Sequence, residues 1–324
     1  MMTTAYIFMD RFDGLRPGDA DRLTHVSFSF ALIKNGKGSV DHWFNGDIVR
    51  KFINAKGHIK AVLSVGGWGA GGFSPAVSTA EGRETLAQSL VDIVNDYGFD
   101  GIDMDWEYPC DDMAGIEASP YDKPNFTLLI QLLRDKLGKD KIVSMAAGGT
   151  QSCVDNLEIT KLAGLMDFIN VMTYDMCPWG YVSHHTGLHP SDITRNPNCH
   201  TAIGLYEAAG MPRNKLVLGA AFYARIYKDV DGLDAPAAGG PTFFGGGYTN
   251  ILEKMEAAGG GQYDETAEAP YIYNANERTF LTFDNPRSLK AKVAYVKSTG
   301  LAGIMFWEYN GDTKDSMLLK AVTE

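Results

Sequence analysis

Residues 99–109 read FDGIDMDWEYP, which sets Asp103, Asp105 and Glu107 at alternate positions between Ile102, Met104 and Trp106. Side chains two apart on a strand share a face, so the acids point one way and the apolar trio the other. In a closed barrel of parallel strands one face packs on helices and the other lines the interior, and the acids belong inside. Burying ionised carboxylates without partners costs on the order of several kcal/mol each, so such a column persists only where protons are shared, hydrogen bonds are supplied or a cation is held. The bland alternative is an acidic strand end facing water. The stronger rival is a magnesium or manganese site, because Asp-x-Asp-x-Glu offers oxygen ligands. The chain has no phosphate-binding Lys-Ser/Thr loop and no HExxH sequence, which weighs against that rival.

Working outward, similar short runs recur: AYIFMD from Ala5, HVSFSFAL from His25, IKAVLSVGG from Ile59, GIDMDWE from Gly101, KIVSMAAGG from Lys141, FINVMTYD from Phe168, KLVLGAAFYAR from Lys215 and AGIMFWEY from Ala302. Amphipathic helices are expected at Ile48–Asn54, Gly82–Tyr97, Pro124–Leu137, Leu157–Leu165, Thr201–Ala209, Ser288–Ser298 and Thr313–Val322. Eight strands alternating with helices predict an α/β fold, a (β/α)8 TIM barrel rather than an open doubly wound sheet, with residues 1–324 as one catalytic domain. Between the seventh strand and the helix near Ser288 the chain runs far longer than an ordinary βα loop. There GGPTFFGGG reads as turn, YTNILEKMEAAG as helix, and APYIYNA and RTFLTFD as strands, predicting an α+β subdomain inserted over 228–284 at the barrel rim.

The 324 residues carry a net charge of −11 and no basic cluster, which excludes nucleic acid as a natural partner. No apolar run is long enough to span a membrane, and the opening MMTTAYIFMDRFDG has no basic segment followed by an apolar one, so neither a span nor a secretion signal is read. The four cysteines form no CxxC pair and are expected as free thiols; Cys177, Cys199, His185 and His189 match no common zinc spacing. Gly67, Gly69 and Gly72 spell G-x-G-x-x-G without a helix following at once, a false dinucleotide match, and no G-x-S-x-G elbow is present.

The other strand ends deliver Ser64 and Trp68, Tyr174 and Asp175, and Trp307. A single aromatic at such a place is ordinarily core. Several around a carboxylate column make a sugar-binding trough, since aromatic faces stack on pyranose C–H faces while acids and hydroxyls address the polar edges.

These residues closely resemble the family 18 glycoside hydrolases, the chitinases and their relatives. DGIDMDWE (Asp100, Asp103, Asp105, Glu107) matches that family's Asp-x-x-Asp-x-Asp-x-Glu motif, SVGG from Ser64 its third-strand motif, MTYD from Met172 its sixth-strand motif, and Trp307 its eighth-strand tryptophan. The long insertion is similar to that of the subgroup with deep clefts. MCPWG after MTYD, and Tyr223-Ala224-Arg225 where Tyr-Gly-Arg is common, depart from the pattern and bear on subsite shape.

The resemblance implies hydrolysis of β-1,4-linked N-acetylglucosamine in chitin or its oligosaccharides, with retention, using the sugar's own 2-acetamido group as nucleophile. It implies Glu107 as acid/base, Asp105 holding the acetamido N–H, Tyr174 hydrogen-bonding the acetamido carbonyl, and Asp103 sharing a proton or hydrogen bond with Asp105, supported by Ser64 and Tyr6. Asp175 would help hold a distorted ring, Trp307 would floor it, and Trp68 would stack on a sugar beyond the cleaved bond. Met172, Tyr223 and Arg225 complete the expected substrate-binding set. No cofactor or metal is implied, and a monomer is expected. An endo-β-N-acetylglucosaminidase or wall-glycan hydrolase of the same family, and a non-hydrolytic lectin, are the alternatives. Polymer hydrolysis points to an extracellular site; the missing signal also fits a cytoplasmic oligosaccharide hydrolase.

Overall fold

A computed structural model of the chain describes residues 1–191, 197–241 and 243–324. Its strands are β1 (Met2–Phe8), β2 (His25–Lys34), β3 (Lys37–Ser39), β4 (Lys60–Gly66), β5 (Gly101–Asp105), β6 (Ile142–Gly148), β7 (Phe168–Met172), β8 (Leu216–Ala221), β9 (Tyr223–Lys228), β10 (Phe243–Gly247), β11 (Gln262–Asp264), β12 (Ala269–Asn274), β13 (Thr279–Thr282) and β14 (Gly303–Trp307). The order β1-β14-β8-β7-β6-β5-β4-β2, all parallel and closed by β1 against β2, is an eight-stranded barrel. The expected TIM barrel is the fold found, with β3 as a short antiparallel extension of β2.

Helices α1 (Gly46–Ala55), α2 (Phe73–Val77), α3 (Ala80–Tyr97), α4 (Asp122–Leu137), α5 (Gln151–Asp155), α6 (Ile159–Leu165), α7 (Cys199–Ala208), α8 (Tyr248–Ala257), α9 (Pro286–Thr299) and α10 (Met317–Thr323) complete the fold. Their ends follow side-chain chemistry. The Thr79 hydroxyl accepts from the Gly82 N–H to start α3, Gly98 ends it in the left-handed region, and Asn285 with Ser288 forms a capping box around Pro286 at the head of α9. The outward face of β5 packs as its alternation requires. Trp106, just past the strand, is buried flat against Phe73 of α2, with ring centroids 5.0 Å apart, and meets Phe126 of α4 edge-on.

The seventh run divides in two. After β8 the Phe222 N–H makes the last rung of the β8–β14 ladder, to the carbonyl of Trp307 at 2.8 Å, and its ring stacks on Phe306 with centroids 4.1 Å apart. The chain then leaves the barrel as β9, the second strand of a five-stranded antiparallel sheet ordered β10-β9-β13-β12-β11. This sheet therefore takes its first residues from Tyr223, ahead of position 228. GGPTFFGGG, expected as a turn, supplies β10; Thr242 lies outside the described residues.

No helix among the described residues is long and apolar enough to cross a membrane.

Candidate active site

Strand register assembles the bottom of the site. Pairing of β5 with β4 and β6 sets Asp103 beside Ser64 and Ser144. Asp103 Oδ2 accepts hydrogen bonds from the Tyr6 hydroxyl (2.7 Å) and Ser64 (3.1 Å), and Oδ1 from Ser144 (2.6 Å) and Asn170 (3.1 Å). Burial pushes the Asp103 pKa up while these four neutral donors pull it back. The hydrogen bond expected between Asp103 and Asp105 is replaced by this set, because β6 and β7 bring two donors that the motif does not contain. The charge of Asp103 adds to the upward shift of the Asp105 pKa. Ser64, expected both to support Asp103 and to belong to the substrate-binding set, is fully buried beneath the cleft and donates to Asp103 without lining the cleft.

One step up, Gly66 stands opposite Asp105 at φ +116°, and a Cβ there would lie 2.1 Å from the Asp105 carbonyl oxygen. Only glycine fits. Asp105 itself is buried, and its Oδ1 has no hydrogen-bond partner. Burial, then the charges of Glu107 and Asp103, hold its pKa well above the ordinary carboxylate range.

Glu107 lies two residues past the end of β5 rather than within it. Burial pushes its carboxyl up to about 7; the Tyr108 hydroxyl works against that shift and the charge of Asp175 adds to it. Asp100, the first motif residue, sits at the opposite end of the strand, where its carboxylate accepts from the Ala61 N–H (2.8 Å) and pairs with Lys56.

Tyr174 and Asp175 follow β7. Burial, then the charges of Asp105 and Glu107, keep the Tyr174 hydroxyl protonated as a donor. Asp175 is clamped from β9: Arg225 Nε and Nη2 each reach it at 2.6 Å, and His185 Nδ1 lies 3.3 Å from its Oδ1. Burial would raise its pKa, but the hydrogen bonds from Arg225 and His185 outweigh it and hold the carboxyl well below the usual range. The departure at Ala224 is absorbed by Gly245 of β10, whose missing side chain would come within 2.7 Å of the Ala224 methyl.

These side chains open onto one cleft of about 500 Å³, lined by Tyr6, Trp68, Asp105, Glu107, Met172, Tyr174, Asp175, Tyr223, Arg225 and Trp307. Trp307 stacks on Phe30, with ring centroids 5.4 Å apart and planes 16° apart, and Trp68 stands 62% exposed at the far rim. Of the expected set only Asp103 and Ser64 lie below the cleft surface. Phe30, Tyr108 and Phe244 line it without having been expected.

The zinc combination does not assemble. His185 faces Asp175, while the Cys199 thiol points at the Thr173 and Thr186 carbonyls (3.6 and 3.8 Å). Among the described residues no three His, Cys, Asp or Glu side chains gather as a metal site. All four cysteines are free.

Residues 4–312 match the family model for glycosyl hydrolases family 18. The chain belongs to that family. Among its family 18 relatives it is 36% identical to Chitinase A1 of Niallia circulans, across 83% of this chain and 43% of that protein, so it spans less than half of that relative's length. It is 31% identical to Chitinase 1 of Aphanocladium album, across 93% of this chain and 79% of that one. It is also similar in structure to a family 18 N-acetylglucosaminidase from Paenibacillus barengoltzii, with TM-score 0.94 and 35% identity over 99% of this chain and 98% of that one. The family 18 signatures run to the C-terminal mouth of β4, β5, β7 and β14, where barrel enzymes carry their chemistry.

Proposed function

We propose that this protein hydrolyses β-1,4-linked N-acetylglucosamine in chitin or chito-oligosaccharides by a substrate-assisted retaining mechanism. The observation that carries the reading is the buried, unpartnered Oδ1 of Asp105 beside the proton-holding Glu107 in a cleft backed by Trp307. A buried acceptor left without a donor is costly, and an acetamido N–H is a donor that a bound N-acetylglucosamine would supply. The names of the relatives, chitinases and an N-acetylglucosaminidase, support the same substrate class.

Glu107 gives its proton to the glycosidic oxygen as the bond from C1 breaks, and the electron pair leaves with that oxygen. The carbonyl oxygen of the 2-acetamido group attacks C1 and closes an oxazolinium ring. Asp105 accepts the acetamido N–H and stabilises the positive charge, and the Tyr174 hydroxyl donates to the acetamido oxygen. Asp175, fixed by Arg225, holds the distorted ring above Trp307, and Trp68 carries a sugar on the leaving side. Glu107, now a carboxylate, takes a proton from the water that reopens the ring at C1, giving the β-anomer. A polymeric substrate would be met outside the cell, which supports an extracellular enzyme.

Glu107→Gln removes the proton donor and keeps the shape. Turnover of chitotetraose should fall at least about 100-fold with oligosaccharide binding retained, the range expected for a lost general acid. Undiminished turnover in that variant contradicts the proposal.

A further inference from the structure

We propose that His185 is a positioning residue of this reaction, its Nδ1–H directing the Asp175 carboxylate toward the sugar. The inference rests on the hydrolase reading above and concerns a residue outside its motifs.

His185 belongs to the loop that follows β7, and its backbone is fixed on two sides. Its N–H donates to Thr282 Oγ1 of β13 at 3.0 Å, and its carbonyl accepts from the Met176 N–H at 3.0 Å. The imidazole is completely buried and meets the Tyr223 ring edge-on at 5.3 Å. From there Nδ1 lies 3.3 Å from both Asp175 Oδ1 and the Asp175 backbone nitrogen, while Nε2 is buried without a partner.

One nitrogen cannot donate to the carboxylate and accept from the backbone N–H at once, so the tautomer decides its role. With the proton on Nε2, a buried N–H goes unsatisfied and a bare lone pair faces an anionic oxygen. With the proton on Nδ1, the Asp175 N–H gives up that acceptor and Nε2 keeps a bare lone pair, but the repulsion becomes a hydrogen bond to a charged oxygen; each arrangement leaves one N–H unmatched, and the bond to the carboxylate decides between them. The second arrangement is the cheaper one. Among the charges around the ring, Asp175 and Asp284 favour its protonation and Arg225 opposes it; burial outweighs the acids and lowers the pKa, leaving a neutral ring.

Arg225 grips both carboxylate oxygens from β9, and His185 adds a donor to Oδ1 from the opposite loop. Two donors from separate elements leave Asp175 little freedom to rotate. Its backbone, at φ +56°, is held in the left-handed region as well. The second sheet reaches the reacting sugar through both: Arg225 stands on β9, and β13 anchors the backbone of His185.

Nitrogen-15 NMR of the wild-type histidine rings should find the His185 proton on Nδ1; a proton on Nε2 overturns the proposal. His185→Asn puts an amide nitrogen about where Nδ1 stands and should keep kcat on chitotetraose within about threefold. His185→Phe keeps a ring and loses the donor, and kcat should fall about 30-fold with KM within about twofold, the loss of one hydrogen bond to a charged group. Equal kcat in the two variants overturns the positioning role. The NMR measurement stands even where His185→Phe does not fold. A wild-type protein inactive on chitotetraose would remove the hydrolase reading while leaving the tautomer test intact.

Discussion

Glu107 and Asp105 carry the same functional group, yet their surroundings give them different work. Burial pushes both carboxyls up; the charges of Glu107 and Asp103 add to the shift at Asp105 and that of Asp175 to the shift at Glu107, so the pair keeps a proton near neutrality. The proton is useful on Glu107, at the mouth, where the glycosidic oxygen would come. With its carboxyl pushed up to about 7, the acid form dominates below that pH and is lost above it. The alkaline limb of kcat/KM for chitotetraose should therefore fall about tenfold per pH unit above that value. A profile level to about pH 9 contradicts the assignment. The acids were legible because alternation alone separates them from Ile102, Met104 and Trp106. Ser144 and Asn170 were not, since each is one polar residue in an apolar run. Only the pairing of β6 and β7 with their neighbours brings them to Asp103.

Strand β4 shows how an element admits the site. Gly66 lets the β4 backbone lie against that of β5 just where Asp105 turns inward. Gly66→Ala combines a strained positive φ with a clash against a main-chain oxygen that cannot move aside. It should lower stability by about 2 kcal/mol or more in urea unfolding and reduce turnover with it. Unchanged unfolding and activity would show the backbone to be more accommodating than this geometry allows. Local alternation misleads about two elements. KLVLGAAFYAR has one continuous apolar pattern but forms β8 and β9 in different sheets: Phe222 still bonds to β14, while from Tyr223 onward the partners are β10 and β13. Phe30 has the parity of Phe28, which packs outward on Phe12 and Phe52. A register shift between Ser29 and Ala31 instead aims Phe30 into the cleft under Trp307. Neither a change of partner strand nor a register shift is written in local alternation.

The barrel and the second sheet are joined through a charge buried between them. Lys292 of α9 lies 2.6 Å from Asp284, just past β13, with both side chains essentially inaccessible. Asp284 also accepts from the Ala221 N–H at the end of β8 (3.1 Å) and from Ser288 (2.7 Å). Lys292→Met leaves that carboxylate buried without its cation, and the fold should lose about 3–5 kcal/mol by thermal or denaturant unfolding. A loss below about 1 kcal/mol would mean that water or a proton replaces the lysine readily. This coupling matters to function because Tyr223 and Arg225 stand on the second sheet while Asp105 and Glu107 belong to the barrel. One wall of the cleft, with Tyr223, Arg225 and Phe244, is supplied by the second sheet. In the proposed mechanism the nucleophile comes from the substrate and C1 keeps its configuration. The most direct test is proton NMR of the first products released from chitohexaose, before mutarotation. The β-anomer is predicted at the new reducing end; the α-anomer would contradict the mechanism outright.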